Sequence, residues 1–240
     1  MWSSILSVVL VINELMASNA GVVMSPATNF DSWIEVYNPS DQRIDLAGMY
    51  LSDDDNNLRM WRLPSNIGSI PAKGFKVIWL GSDDIKDTQA PFKLDCDGGT
   101  ICLSDKSGAL ITSVYYPEAL SRTAYARTTD GGEEWGWTAS PTPGATNSTS
   151  TFATERLAPP QVSAGSQIIS NTFNVKVDIP DGATLKYTTD GSVPTATTGQ
   201  QSKNGMFTVN NTVNYVFRLF KDGYLPSVPV TRSYIKTDNR

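Results

Sequence analysis

The chain of 240 residues has 40% hydrophobic and 18% charged residues, contains no histidine and carries a formal net charge of −5. This composition is typical of a folded globular chain with more than one core and is too apolar for a disordered one. The absence of histidine excludes His-dependent catalytic triads and His-ligated zinc, and the acidic balance argues against a nucleic-acid binder.

The first apolar run extends from Ile5 to Ile12. It is far shorter than the roughly 20 residues that a membrane-spanning helix needs. A signal peptide is the alternative, but no basic residue precedes the run and Glu14 follows it closely. We therefore interpret the run as a strand, and we expect any export signal of the natural protein to lie upstream or to have been replaced by Met1.

Helical periodicity is almost absent, whereas short runs of β-branched and aromatic residues recur between Gly, Pro, Asn and Asp turns. This spacing predicts an all-β fold, a sandwich or a barrel. The predicted strands of the first half are 8–13, 33–38, 60–63, 76–80, 92–96, 100–104 and 110–115. Those of the second half are 174–179, 184–188, 205–209, 213–220 and 230–235.

Residues 141–151, with the sequence PTPGATNSTST, separate the two sets of strands. A segment of this composition buries little surface and predicts a linker. We place one domain at 1–147, a linker at 148–158 and a second domain at 159–240. The charge divides in the same way, because residues 1–147 hold 10 basic and 18 acidic residues (net −8) and residues 148–240 hold 9 and 6 (net +3).

The two cysteines flank a predicted hairpin whose turn is Gly98–Gly99. Pairing around that turn places Cys96 on the apolar face of the hairpin and Cys102 on the opposite face. A disulfide would require a shifted register that moves Ile101 and Leu103 to the polar face. We therefore predict two free thiols, with a Cys96–Cys102 disulfide as the alternative.

Several separated motifs resemble those of the lamin-tail domain family, in the order in which that family has them. They are INELMASN at 12–19, WIEVYN at 33–38, DLAGMYLSD at 45–53, WRLP at 61–64, IPAKG at 70–74, FKL at 92–94, ICLSD at 101–105 with Gly108, and PTPGATN at 141–147. The resemblance covers about residues 9–147. It implies an immunoglobulin-like β-sandwich, which in bacteria is an accessory module of exported or surface proteins, often beside hydrolase or kinase-like domains.

The second half is similar to the fibronectin-type-III-like β-sandwich at the C-terminus of chitobiases and related glycosidases. The motifs are YTTDGSVPT at 187–195, VNYVFR at 213–218, DGYLPS at 222–227 and Tyr234. Within them, Asp190–Gly191 predicts a hairpin and Pro194 is expected to end the returning strand. The two resemblances together imply tandem immunoglobulin-like β-sandwiches, and neither implies catalytic machinery because both are appended domains.

Glu35 lies in a predicted strand and Glu14 directly follows one, and a pair of carboxylates is what glycoside hydrolysis requires. The favoured interpretation is structural. Glu35 alternates with Trp33 and Tyr37, so it is expected on a half-exposed sheet face or as an acceptor of backbone hydrogen bonds.

Asp53, Asp54 and Asp55, followed by Asn56 and Asn57, form a cluster of oxygen ligands that suggests calcium. An EF-hand would have Gly at position 58 and Glu at position 64, where this chain has Leu and Pro. A solvated turn is the favoured interpretation, and a calcium site of another geometry is the alternative. No nucleophile elbow or phosphate loop is present, so no cofactor and no catalytic or metal-ligating residue is predicted.

Six tryptophans and nine tyrosines raise the possibility of sugar stacking, but Trp33, Trp61 and Trp79 fit strand patterns and are expected in cores. Trp135 and Trp137 are expected to attach the end of the domain to its sheet. The sequons at Asn147 and Asn210 matter only in a eukaryotic secretory route.

These observations predict a noncatalytic interaction or positioning module at a bacterial surface or in the periplasm, which binds a glycan or an envelope protein. The alternative is the accessory region of a larger exported enzyme, kinase-like or hydrolase, whose catalytic domain lies outside this chain. DNA binding by analogy with lamins is opposed by the net charge of −8 on residues 1–147. The ligand-binding residues and the oligomeric state stay undetermined at this stage.

Overall fold

The computed structural model describes residues 9–81 and 88–237. The chain divides into two compact units, Met1–Phe152 and Ala153–Arg240. The division falls inside the segment 148–158 that the composition marks as a linker. Within the described residues the structure is built of strands, and its only helical element is one 3-10 turn, Asn147–Thr149. The prediction of an all-β fold with two sandwiches is confirmed.

The described strands of the first unit are β1 (Val11–Met16), β2 (Ser32–Tyr37), β3 (Ile44–Asp45), β4 (Tyr50–Ser52), β5 (Trp61–Arg62), β6 (Ser69–Ile70), β7 (Phe75–Leu80), β8 (Gly99–Ser104), β9 (Leu110–Tyr116), β10 (Ala124–Arg127) and β11 (Trp135–Thr138). They form a five-stranded sheet in the order β11-β10-β1-β2-β7, a four-stranded sheet in the order β5-β4-β8-β9, and the pair β3-β6. All of these pairs are antiparallel.

The main core of this unit lies on the inner faces of its sheets. Alternation along β2 directs Ile34 and Val36 into that core, and they are joined by Leu15 of β1 and by Leu51 and Leu103 of the four-stranded sheet. The opposite, outer face of the five-stranded sheet carries the side chains of Trp33 and Glu35, and a small cluster of Met16, Trp33 and Ala124 lies there.

The strands of the second unit are β12 (Gln167–Ile169), β13 (Phe173–Lys176), β14 (Thr184–Thr188), β15 (Gln200–Ser202), β16 (Met206–Val209), β17 (Val213–Phe220) and β18 (Val230–Lys236). One sheet has the order β12-β18-β17-β14-β15, with β12 parallel to β18, and β13 pairs with β16. The core of this unit is separate and is rich in aromatic residues, among them Phe207, Phe217 and Tyr234.

The predicted hairpin around Gly98–Gly99 is wrong. Residues 92–96 form no strand, and β8 pairs instead with β4 and β9. The turn between β8 and β9 is the stronger one, because the Asp105 carboxylate accepts the backbone N–H groups of Ser107 (2.8 Å) and Ala109 (2.9 Å). Gly98 still has a positive φ of 98°, and a Cβ there would lie 2.9 Å from the Tyr116 carbonyl oxygen.

The prediction of two free thiols is confirmed, although the hairpin on which it was based does not form. Cys96 is exposed and Cys102 is buried, and neither is bonded to the other. Burial raises the pKa of the Cys102 thiol, and the nearby charges of Asp55 and Asp54 add to that effect.

Two other local predictions change. The first strand begins at Val11 rather than at Val8 and continues to Met16, while residues 1–8, with the start of the apolar run, lie outside the described residues. In the second unit no strand ends at Pro194, because β14 pairs with β15 at residues 200–202 across a longer loop. Asp190 nevertheless forms a turn, and its carboxylate accepts the backbone N–H of Ser192 at 3.0 Å.

Candidate functional site

A bulge in β1 brings the two glutamates of the outer sheet face together. The register passes from Ile12 opposite Val36 to Glu14 opposite Glu35, so Asn13 is the extra residue on β1. Directly opposed side chains on neighbouring antiparallel strands lie about 5 Å apart at Cβ. Both glutamates are 0% exposed. The sheet therefore holds two adjacent carboxyl groups out of contact with water.

Residues 141–149, which we name the closing segment, cover this pair. The backbone N–H of Gly144 donates to Glu35 Oε2 at 2.6 Å. The backbone N–H of Thr142 lies 3.3 and 3.2 Å from the two Glu14 carboxyl oxygens, and its hydroxyl oxygen lies 3.4 Å from Glu14 Oε2. The composition of residues 141–151 predicted a linker, whereas the boundary at 147 and the PTPGATN motif placed residues 141–147 in the first domain. The structure packs the closing segment on the first unit, because its backbone donors meet buried acceptors.

Asn147 attaches the end of the closing segment to the sheet. It is 0% exposed, and its side-chain amide donates to the carbonyl oxygens of Arg127 (2.8 Å) and Asn13 (3.4 Å). Its own backbone N–H donates to Asp130 Oδ1 at 3.0 Å. The sequon at Asn147 is therefore buried and hydrogen-bonded in the folded protein, whereas Asn210 is exposed.

Asp130 and Asn13 complete the cluster. The side-chain amide of Asn13 donates both to Asp130 Oδ1 (3.0 Å) and to Glu35 Oε1 (3.2 Å), and its carbonyl oxygen accepts the backbone N–H of Gly131 at 3.0 Å. The Thr146 hydroxyl donates to the other oxygen of Asp130. We name Glu14, Glu35 and Asp130 the carboxyl cluster.

Burial raises the pKa of both glutamates. It raises the pKa of Glu14 from 4.5 to about 8, with the Glu35 charge adding and the hydrogen bonds from Thr142 opposing. It raises the pKa of Glu35 from 4.5 to about 7, against the lowering effect of the hydrogen bonds from Gly144 and Asn13. The charge of Asp130 raises the pKa of both groups.

The arrangement is structural, because its hydrogen bonds hold the closing segment on the sheet. The donors that face the glutamates come from the closing segment and from Asn13, and a glycoside could reach either carboxyl group only after the closing segment had moved away. The interpretation of Glu35 as an acceptor of backbone hydrogen bonds agrees with the contact from Gly144. The sequence analysis gave none of Asn13, Asp130 and Thr142 a role in a site, and it named Asn147 only as a sequon. The INELMASN motif nevertheless contains Asn13, and the PTPGATN motif contains Thr142 and Asn147.

The acidic loop at Asp53–Asn57 satisfies its own carboxylates. Asp54 Oδ1 accepts from the backbone N–H of Asn56 (2.8 Å) and from its side-chain amide (3.2 Å), and Asp55 Oδ1 accepts from the same amide at 2.8 Å. Within residues 9–81 and 88–237, no group of three or more acidic or Cys side chains is placed to hold a metal ion. The geometry is that of an Asx turn.

We expect calcium to leave this loop unchanged. Millimolar calcium chloride should produce no binding heat in calorimetry and no shift in the thermal midpoint, because Asn56 already occupies the carboxylates that would bind the ion. The Asp54→Asn variant is the control. A saturable heat in the natural chain that this variant abolishes would contradict the expectation.

The tryptophan side chains of the described residues lie against hydrophobic cores and do not project into solvent. Trp33 and Trp137 are buried, Trp61 and Trp135 pack against the main core, and Trp79 packs against the Trp33 cluster. Tyr125 stacks on Trp135 with the ring centroids 5.0 Å apart. A sugar-binding platform made of these five rings would need several of them to leave their cores.

The most exposed of the large apolar side chains belongs to strand β9. Tyr115 is 74% exposed and Leu110 is 50% exposed. A bulge between Leu103 and Ser104 shifts the register so that Leu110, Ser113 and Tyr115 all point away from the core. We name these three residues the β9 outer face. In the described part of the chain, β9 has a ladder partner on one side only, namely β8.

One concave feature of the second unit is an open groove. It is lined by Tyr187, Thr188, Thr189, Asp190, Ser192, Thr198, Gly199 and Gln200. The Tyr187 hydroxyl donates to the side-chain carbonyl of Gln200 at 2.7 Å. A groove this open and polar provides little of the apolar enclosure that small-molecule sites have.

One known family is similar to a large part of the first unit. Residues 7–118 match the family model described as Lamin Tail Domain. This match runs through β9 and supports an immunoglobulin-like sandwich for the first unit, a fold often used for interaction. Strands β10 and β11 and the closing segment lie beyond the matched residues. Among curated proteins, none matches the chain.

No helix in residues 9–81 and 88–237 has the length and apolar character needed to cross a membrane.

Proposed function

We propose that this chain is a noncatalytic interaction and positioning module that binds a glycan or a protein partner through the β9 outer face. The proposal is carried by one observation, the exposure of Tyr115 and Leu110 on the same side of a strand with a free edge. Tyrosine is enriched in binding hot spots because its ring buries a large area while its hydroxyl still bonds to polar groups.

Either partner class fits the chemistry of this surface. A protein strand can pair with the outer backbone edge of β9 while its side chains contact Tyr115 and Leu110. A sugar can stack an apolar face on the Tyr115 ring. The buried state of the carboxyl cluster supports a binding role over hydrolysis, because Glu14 and Glu35 are the pair that hydrolysis would use and neither is exposed.

The second unit extends the same proposal. It is a β-sandwich with its own aromatic core, and its motifs are similar to the C-terminal domains of chitobiases. We propose that it holds the first unit in position on a larger exported, periplasmic or surface protein of a bacterium. Its net charge is positive while that of the first unit is negative, so the two halves present different surfaces to partners.

The test uses the whole chain and two tyrosine variants. The chain is first screened against an array of chito-oligosaccharides and peptidoglycan fragments and against purified bacterial envelope proteins. Tyr115→Ser should weaken the binding so found by about tenfold or more, the usual loss for a hot-spot tyrosine. Tyr224→Ser in the second unit is the matched control, because Tyr224 is 37% exposed. Equal affinity of the natural chain and the Tyr115→Ser variant, or no binder in the screen, would contradict the proposal.

A further inference from the structure

The amide of Asn147 has only one orientation that satisfies its neighbours. Its nitrogen faces the carbonyl oxygens of Arg127 (2.8 Å) and Asn13 (3.4 Å), which can only accept hydrogen bonds. Its oxygen therefore faces the Thr142 hydroxyl at 2.9 Å and must accept a hydrogen from it. This contact determines where the single hydroxyl hydrogen of Thr142 lies.

Because that hydrogen is given to Asn147, Thr142 has none left for Glu14. The Thr142 hydroxyl therefore gives Glu14 Oε2 at most a weak, long hydrogen bond of 3.4 Å. Glu14 is thus a fully buried carboxyl group that lies opposite a second carboxyl group and receives only long hydrogen bonds, of 3.2–3.4 Å, so its neutral form is favoured. The raised pKa of Glu14, about 8, agrees with this preference.

Glu35 has the opposite environment. Its two oxygens each face a donor, the Gly144 N–H at 2.6 Å and the Asn13 amide at 3.2 Å. Two donors and a short distance are typical of an ionised carboxylate. Glu14 is therefore the carboxyl group of the pair that keeps its proton to the higher pH, in agreement with pKa values of about 8 for Glu14 and about 7 for Glu35.

We propose that the closing segment is a proton-controlled clasp, held on the sheet by a protonated Glu14 and loosened when Glu14 gives that proton to water. The opened segment leaves Glu14 and Glu35 hydrated, where both ionise freely.

The charged groups around the pair do not cancel this effect. Asp130, in the loop between β10 and β11, adds a negative charge. The guanidinium of Arg127 donates to the carbonyl oxygens of Ile12 and Gly132 rather than to a carboxylate. From β7 the residue opposite Glu35 is Val77. Of the ion pairs formed between described residues, none includes Glu14 or Glu35.

The direction of the pH effect follows from the pKa values of the closed and open forms. Glu14 has a pKa of about 8 when the clasp is closed and returns toward 4.5 when it is open. Between these values opening releases a proton from Glu14, which shifts the equilibrium toward the open form by up to about tenfold per pH unit. Between pH 4.5 and about 7 Glu35 also releases a proton on opening and adds a shift in the same direction. The clasp is tightest below pH 4.5, and the loss is complete near pH 8.

Hydrogen exchange of peptides from residues 141–149 tests the clasp in the full chain. We expect the protection factor, corrected for the intrinsic rate, to fall by at least tenfold between pH 5.5 and 8.5. Glu14→Gln should fold and keep its protection at pH 8.5, because Gln is neutral at every pH and keeps an oxygen that accepts the backbone N–H of Thr142. Glu35→Gln should lose protection, because Gln offers one acceptor oxygen to two donors.

The exposed Glu133→Gln variant is the control and should keep the pH dependence of the natural chain. Protection that does not change with pH, or a Glu14→Gln variant that keeps the natural slope, would overturn the proposal. If Glu14→Gln does not fold, the test is a pH titration of the natural chain, followed through the carbon-13 signal of the Glu14 carboxyl group. A Glu14 carboxyl that stays protonated at pH 6 supports the clasp, and one already ionised at pH 6 refutes it.

Discussion

Replacing Asn147 with Asp should lower the free energy of unfolding of the first unit by roughly 3–5 kcal/mol at pH 7, the usual cost of an uncompensated buried charge. The new carboxylate keeps the shape of the amide but cannot donate to the carbonyl oxygens of Arg127 and Asn13. It also adds a negative charge beside the carboxyl cluster. Part of the loss should return on acidification, because protonation restores a neutral side chain.

Tryptophan fluorescence during urea unfolding measures this effect in the full chain. All six tryptophans precede residue 138, so their emission reports on the first unit alone. Asn210→Asp, at an exposed position of the second unit, is the matched control and should leave the transition within about 0.5 kcal/mol of the natural chain. An Asn147→Asp chain with an unchanged midpoint would show that the closing segment contributes little to the stability of the first unit.

Gly205→Ala should destabilise the second unit by roughly 3 kcal/mol or more, a loss typical of strained backbone combined with a steric clash. Gly205 has a φ of 66°, and a Cβ there would lie 2.0 Å from the carbonyl oxygen of Val177. The same backbone is tied to β13, because the N–H of Val177 donates to the Gly205 carbonyl at 2.8 Å. The clash can be relieved only by separating these two chain segments.

Gly223→Ala separates the cost of the clash from the cost of the backbone conformation. Gly223 also has a positive φ of 78°, but a Cβ there meets nothing within 4 Å. It should therefore cost only about 1 kcal/mol, the strain of a left-handed alanine. Since the second unit has no tryptophan, both variants are compared by hydrogen exchange of peptides from β13 and β16 at increasing urea. Equal losses of stability in the two variants would mean that the clash with the Val177 carbonyl oxygen adds nothing to the cost of the backbone conformation.

Strands with strong alternation could be predicted from local sequence, and the short ones could not. β14 and β17 were predicted at their observed bounds, and β7 within one residue, because β-branched and aromatic residues recur there with a period of two. β10 and β11 have only four residues each, and β11 contains Gly136. Their strand conformation is imposed by pairing with each other and with β1, which local propensity does not encode.

Residues 92–96 show the opposite failure. Their apolar alternation predicted a strand, but Leu94 is buried without one, and its N–H donates to the Ser32 hydroxyl at 3.1 Å. The edges of β8 that this strand would have used are occupied by β4 and β9. A strand needs a neighbouring strand to pair with as well as an alternating sequence, and the tertiary fold determines which strands become neighbours.

By itself the sequence determined the all-β class, the presence of two units and the identity of the two carboxylates in the strands, because these depend on local periodicity, composition and residue type. Only the tertiary structure decided that Glu14 and Glu35 lie opposite each other under the closing segment. Thr142 lies 128 residues from Glu14, and burial and hydrogen-bond partners at that separation arise from packing. The same packing raises the pKa of both carboxyl groups, because their desolvation has no counterpart in the unfolded chain.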